Sequence, residues 1–307
     1  PDHAGSIKEF ADKYPEAKIV ASAKAIAMLP QFFEIADLAD RAVAVKEGEE
    51  LSLGSHTLQF FMAPMVHWPE VMVEYEKSEK ILFSADGFGK FGALDADEDW
   101  TCEARRYYFN IVGKYGAQVQ ALLKKAATLD IQTICPLHGP ILKENLGYYI
   151  GKYMTWSSYE PEDDGVLVAY ASIHGNTKKA AEKMKEILEA KGAKKVAITD
   201  LSRDDMAEAI EDAFRYDKLV LAAASYDASV FPCMETFLNK LTNKNYQNRK
   251  IAIIENGSWA PTAARVMKSY VEKMKKITLC EKTVTIKSAM KDADVIAMEE
   301  LADELLA

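Results

Sequence analysis

At 307 residues the chain is long for one domain and comfortable for two. Hydrophobic content of 49% beside 28% charged residues describes a globular fold rather than a disordered or fibrous one. The 38 basic and 47 acidic residues leave a net charge of −9, which argues against nucleic acid or an anionic membrane as partner. No apolar run is long enough to span a bilayer, and the first ten residues are mixed and polar, unlike a signal peptide. Cys102, Cys135, Cys233 and Cys280 are scattered and form no CxxC, so no cysteine-rich metal module is expected and a reducing compartment is. The chain opens on Pro-Asp-His without Met and reads as a fragment of a longer protein.

The first half alternates helices and strands irregularly. Residues 6–13 read as a short helix capped by Ser6, 18–21 as a strand, and 22–29 as a helix ended by Pro30. Strands are expected over 40–45, 56–62, 71–75, 80–84 and 131–134, with turns at 47–50 and 76–79. Two helices are expected over 101–114 and 117–127. Mixed strands with helices outside suggest a layered αββα arrangement. Residues 157–165 are polar and acidic with Pro161 and Gly165, and read as a linker between domains 1–156 and 166–307. The second half is regular. Strands are expected over 166–170, 195–199, 218–223, 250–255 and 283–286, with helical patterns between them and at 293–306. That alternation specifies an α/β fold with a doubly wound parallel sheet.

The chemistry of the second half sits at three strand ends. Ser172-Ile173-His174-Gly175-Asn176-Thr177 runs from a buried strand into a helix N-terminus, a geometry that cradles phosphate. The loop lacks the Lys of a nucleoside-triphosphate P-loop and the three glycines of a dinucleotide fingerprint. A terminal monophosphate fits what remains. Ser225, Tyr226 and Asp227 follow the third strand, and Asn256, Gly257, Ser258 and Trp259 follow the fourth. Aromatic side chains beside a phosphate cradle suit a flat heterocycle, and the pattern resembles flavodoxin-like FMN binding.

In the first half, His3, His67 and His138 each lie in a loop beside Pro or Gly, and Asp86 ends a strand in a Gly-rich loop. Imidazoles and carboxylates at successive strand tips can converge on metal. The ordered series Asp2-His3, His67, Asp86, His138 resembles the ligand series of the metallo-β-lactamase fold. Its fusion to a flavodoxin-like domain resembles the flavodiiron proteins, also called A-type flavoproteins. The likeness covers essentially the whole chain. Of that family's first ligand motif, His-x-Glu-x-Asp-His, only Asp2-His3 is present, so the lactamase-like domain is expected to be N-terminally incomplete.

The resemblance implies two non-haem irons and one FMN. It implies that Asp2, His3 and His138 hold one iron, that His67 serves the other, and that Asp86 bridges them. It implies a cytoplasmic enzyme reducing dioxygen to water or nitric oxide to nitrous oxide. Electrons would come from a separate donor such as rubredoxin or a reduced flavin or deazaflavin system. A head-to-tail homodimer or tetramer would bring FMN beside the partner's metal pair, with Trp68 and Trp259 near the path. The alternatives are a zinc hydrolase with a flavodoxin-like appendage and a non-catalytic electron carrier.

Overall fold

A computed structural model describes residues 3–307, so Asp2 lies outside the described residues. The chain divides into two compact units, Pro1–Ser157 and Ser158–Ala307.

The first unit opens with α1 (Ile7–Lys13), β1 (Ile19–Ser22), α2 (Ala23–Met28), α3 (Leu38–Arg41) and β2 (Ala42–Val45). Ser6 precedes α1 but its side chain makes no capping bond, whereas the Ser22 hydroxyl accepts from Ala25 N at the start of α2. β1 and β2 pair in parallel. Strand was expected from residue 40, yet Leu38–Arg41 is a helical turn. That turn aims the buried Arg41 guanidinium back at the carbonyls of Ala11, Tyr14 and Ala17, which need donors away from water.

A second sheet follows in the order β3 (Glu50–Ser52), β4 (Thr57–Met62), β5 (Met72–Glu76), β6 (Ile81–Phe83), β7 (Thr133–Cys135). Pairing is antiparallel as far as β6 and parallel between β6 and β7. β4, β6 and β7 therefore run the same way, and the loops that follow them leave the sheet at one edge. Those loops carry His67, Asp86 and His138.

Between β6 and β7 the chain forms α4 (Trp100–Tyr107), a wide π-type turn over Tyr108–Val112, a tight 3₁₀ turn over Gly113–Tyr115, and α5 (Gly116–Ala126). One continuous helix was expected over 101–114. The wide turn instead faces Tyr108, Phe109 and Val112 inward, all without exposed surface. A helix that the residue pattern did not announce, α6 (Leu146–Ser157), supplies Tyr153 and Trp156 to the same aromatic core. Two glycines and several aromatics make that segment a weak helix former, so packing decides it. Phe88, from the Asp86 loop, stacks at 4.4 Å on Tyr153 and anchors the loop to this core.

The second unit begins at β8 (Asp163–Ala171), followed by α7 (Asn176–Ala190), β9 (Val196–Asp200), α8 (Met206–Arg215), β10 (Tyr216–Tyr226), β11 (Ser229–Val230), α9 (Pro232–Asn243), β12 (Gln247–Asn256), α10 (Ala263–Val271), β13 (Lys275–Ile286) and α11 (Asp292–Leu306). The acidic stretch read as a linker is partly strand. Asp163 is paired by Lys195 and Arg215, and this pairing draws residues 163–165 into β8.

The main strands lie in the order β9-β8-β10-β12-β13, all parallel. Numbered within the unit, that order is 2-1-3-4-5, with the switch point between β8 and β10. The continuous apolar run of β8 is buried on both faces, as a central parallel strand requires. α7 and α11 cover one face through Met184, Leu188, Met298 and Leu301. The unit is a flavodoxin-like doubly wound sheet, and the fold class expected from sequence stands.

No described helix is long and apolar enough to cross a membrane, and no disulfide joins the described cysteines.

Candidate functional site

At the shared edge of β4, β6 and β7, Asp86 is the buried centre, 4% exposed. Its Oδ1 lies 3.2 Å from His3 Nε2 and 3.5 Å from His138 Nε2. Its Oδ2 lies 3.4 Å from His67 Nε2. The two imidazole nitrogens of His3 and His138 face each other at 3.1 Å. One carboxylate thus divides its oxygens between two groups of imidazoles. A cation on each side satisfies all of these donors at once, since neutral imidazole nitrogens and a carboxylate are all metal ligands. Among the described residues His3, Asp86 and His138 form a ligand group for one metal, and Asp86 Oδ2 with His67 offers two ligands to a second. Asp2 is outside the described residues, so its expected part in the set is not placed.

The loops pay for this convergence in backbone freedom. Ala85 and Phe88 flank Asp86 with φ of 51° and 67°, and Met65 near His67 has φ of 67°. Non-glycine residues in this left-handed region are held by their surroundings and cluster at functional sites. Gly89 is required by close approach. A Cβ there would stand 3.0 Å from Asp86 O, 3.3 Å from His138 Cβ and 3.4 Å from Tyr107 Cε1.

The Tyr107 hydroxyl donates to Asp86 Oδ1 at 2.9 Å, and its ring lies 5.4 Å from His138. It is buried in α4. Behind the site, burial pushes the Tyr153 hydroxyl well above its ordinary range, which keeps it protonated. His56 plays no part here: its Nδ1 sits 3.2 Å from Glu76 Oε1 at the start of β4.

In the second unit a pocket of about 550 Å³ opens beyond the carboxyl ends of the strands. It gathers Ile173, His174, Asn176 and Thr177 from the first loop, Ser225, Tyr226 and Asp227 from the second, and Asn256, Gly257, Ser258 and Trp259 from the third. Ser172 and Gly175 stand behind this surface. Gly175 N donates to Ser172 Oγ at 3.1 Å, and Gly175 has φ of 85°, the left-handed turn from which α7 starts.

Thr177 is 2% exposed, lines the pocket, and has no hydrogen-bond partner for its hydroxyl among the described residues. The hydroxyl lies at the pocket wall, where a ligand can complete its hydrogen bonding. A phosphate at the N-terminus of α7 would do so. Tyr226 and Trp259, the latter 92% exposed, stand at the rim as aromatic walls.

Other members of the pocket serve its construction. Ser225 Oγ accepts from Thr262 N at 2.8 Å and Ala263 N at 3.2 Å, fastening the second loop to the start of α10. The Asn256 amide exchanges two bonds with the Ser288 backbone, at 2.9 and 3.0 Å. The second loop proves to be a tight hairpin, β10 to β11, turning on Asp227 and Ala228 with φ of 47° and 53°.

The family model described as ODP family beta lactamase matches residues 1–139, and a flavodoxin-domain model matches residues 167–285. The chain is 30% identical over 269 residues to a putative diflavin flavoprotein of Nostoc, covering 84% of this chain and 45% of that one. It is 24% identical to a nitric oxide reductase of Moorella thermoacetica, covering 100% of this chain and 78% of that one. The solved structure of a point variant of the flavo di-iron protein from Thermotoga maritima matches with a TM-score of 0.82 at 25% identity. It covers 94% of this chain and 72% of that one. The two family-model matches stand in the order of the flavodiiron proteins, to which the chain is similar along nearly its whole length. It spans about half the length of the first curated relatives it matches, 53% and 45%.

Two residues of the chain, Tyr107 and Ser288, escaped the sequence reading. Tyr107 lies mid-helix, where nothing in the pattern distinguishes it from core. Ser288 also lines the pocket, beside Thr262, the last residue of the third loop expected from sequence. Ser288 follows β13, so the rule that ligands sit beyond parallel strand ends was the available signal for a fourth loop.

Proposed function

We propose that this chain serves an oxidoreductase that reduces dioxygen to water, nitric oxide to nitrous oxide, or both, passing electrons from FMN to two non-haem irons. The observation that carries the reading is the division of the Asp86 oxygens between His67 and the His3–His138 pair. When bound, a reduced iron pair would supply a site for a diatomic oxidant and two electrons at once, with FMN as the single-electron relay.

The chain's own residues do the holding. His3 and His138, with Asp2, would serve one metal and His67 the other. Asp86 would bridge and offset charge between adjacent cations. Tyr107 holds the Asp86 carboxylate in one orientation. Thr177, Asn176 and the α7 N-terminus would take the FMN phosphate, while Tyr226 and Trp259 would wall the ring.

The proposal extends to a separate electron donor, since the scattered cysteines offer no rubredoxin-type motif, and to a cytoplasmic setting. It also extends to a head-to-tail homodimer or a tetramer, in which the exposed Trp259 would be covered. Metal analysis, a visible spectrum, and anaerobic assays with chemically reduced donor test the whole reading. Iron at two per chain with a yellow flavin band, and consumption of dioxygen or nitric oxide, is the expected result. Zinc without flavin would turn the assignment to a hydrolase. Flavin without metal would turn it to an electron carrier.

A further inference from the structure

We propose that His174 is the cationic partner of the flavin phosphate and makes cofactor retention depend on pH, an inference that rests on the FMN reading above. His174 lines the pocket one residue before the left-handed Gly175 that starts α7. The 15-residue α7 has no acidic residue in its first turn, so the helix dipole there is not offset. Thr177, 2% exposed and with its hydroxyl bonded to no described residue, lines the pocket at the same spot.

What the pocket lacks is a permanent positive charge. No lysine or arginine lines it. A phosphate monoester is mainly dianionic above its second pKa of about 6, and neutral N–H and O–H donors leave that charge without a countercharge. Among the described lining residues, His174 is the side chain that can supply one. Imidazoles ordinarily titrate at about 6.5, inside the physiological range.

The other ionisable groups do not duplicate this role. The β10–β11 hairpin presents Tyr226 and Asp227, which can only be neutral or negative. The loops after β12 and β13 present no ionisable lining residue. Lys178 and Lys179, in the first turn of α7, are exposed and do not line the pocket, and Lys178 Nζ lies 3.9 Å from Glu182 Oε1. All of these stay in place when His174 alone is changed.

A charged imidazole beside the phosphate tightens binding below the imidazole titration and loses its effect as pH rises through it. His174 is exposed, so the effect is that of a solvent-screened ion pair, at most about fivefold in affinity.

The test titrates flavin-depleted protein with FMN and, separately, with riboflavin, which has the same ring and no phosphate. Wild type and His174→Gln are compared at pH 6.5 and pH 8.5 by quenching of flavin fluorescence. For FMN, the Kd of His174→Gln relative to wild type should be about three at pH 6.5, where a free imidazole is half charged, and fall toward one at pH 8.5. For riboflavin the ratio should stay near one at both. A ratio for FMN that is the same at both pH values overturns the inference, and so does a riboflavin ratio that follows the FMN ratio. If wild type binds neither flavin, the FMN reading itself fails and takes this inference with it. Circular dichroism of the variant confirms that its fold is retained.

Discussion

The two candidate sites are built on opposite plans. In the second unit a regular parallel sheet delivers four loops to one edge, and much of the loop chemistry is spent on the loops themselves. Ser225 and Asn256 fasten neighbouring segments, which leaves a short list of groups free to meet a ligand. In the first unit the donors themselves converge. Three imidazoles and one carboxylate stand within 3.1 to 3.5 Å of a neighbour, on loops held in uncommon backbone conformations. The lesson is where each site keeps its stability. The flavin pocket is shaped by the fold, whereas the metal centre concentrates strain and polarity that ligand binding offsets.

The largest expected effect tests that contrast directly. Asp86→Ala removes the group shared by both imidazole sets. Metal content should fall for both positions and turnover should be lost, while the flavin spectrum is unchanged. Retention of two metals at full rate would end the bridging assignment.

Tyr107→Phe sharpens the comparison by removing one hydrogen bond and no ligand. Loss of such a supporting bond costs roughly 10–100-fold in metal affinity or activity. Metal competition with a chelator measures the affinity, and wild-type affinity would show that Asp86 needs no orienting partner.

Thr177→Val keeps the volume of the buried side chain and deletes its hydroxyl. Affinity for FMN should fall by roughly 1.5 kcal/mol, about tenfold, while riboflavin affinity holds. Equal losses for both flavins would place the phosphate elsewhere.

The smallest effect concerns a carboxylate that belongs to neither site. Burial alone pushes the Glu76 carboxyl up, but it is outweighed by backbone donors from Glu79 and Ser78, the Ser78 side chain and His56. Its pKa is therefore depressed to about 2. A depressed folded pKa contributes stability that is present above the unfolded value, about 4.3, and is lost as pH falls toward 2. Thermal melts of wild type and Glu76→Gln should differ most near neutrality and converge across that acid window. A constant difference would show that the carboxylate charge is not what holds the β5–β6 turn.

How much of this was legible in the sequence depended on which force decided each element. The second unit was readable because its buried strands are continuous apolar runs and its helices are amphipathic. The ligand candidates His67, Asp86 and His138 were readable because each stands in a Pro- or Gly-marked loop. Their convergence was not, since it follows from β4, β6 and β7 running the same way. α6 was missed because Gly147, Gly151 and its aromatics give no helical preference. Its order comes from Tyr153 and Trp156 packing in the aromatic core. The Tyr107 bond to Asp86 depends on a contact across 21 positions, which no local pattern encodes.

The clamps around the flavin pocket carry one more consequence. Ser225 ties the second loop to α10, and Asn256 ties the third strand end to the segment after β13, with no cofactor taking part. The walls of the pocket are therefore held to one another by bonds within the protein. A substitution at Ser225 or Asn256 therefore disturbs the wall of the pocket rather than a ligand contact, and its effect should reach FMN and riboflavin alike.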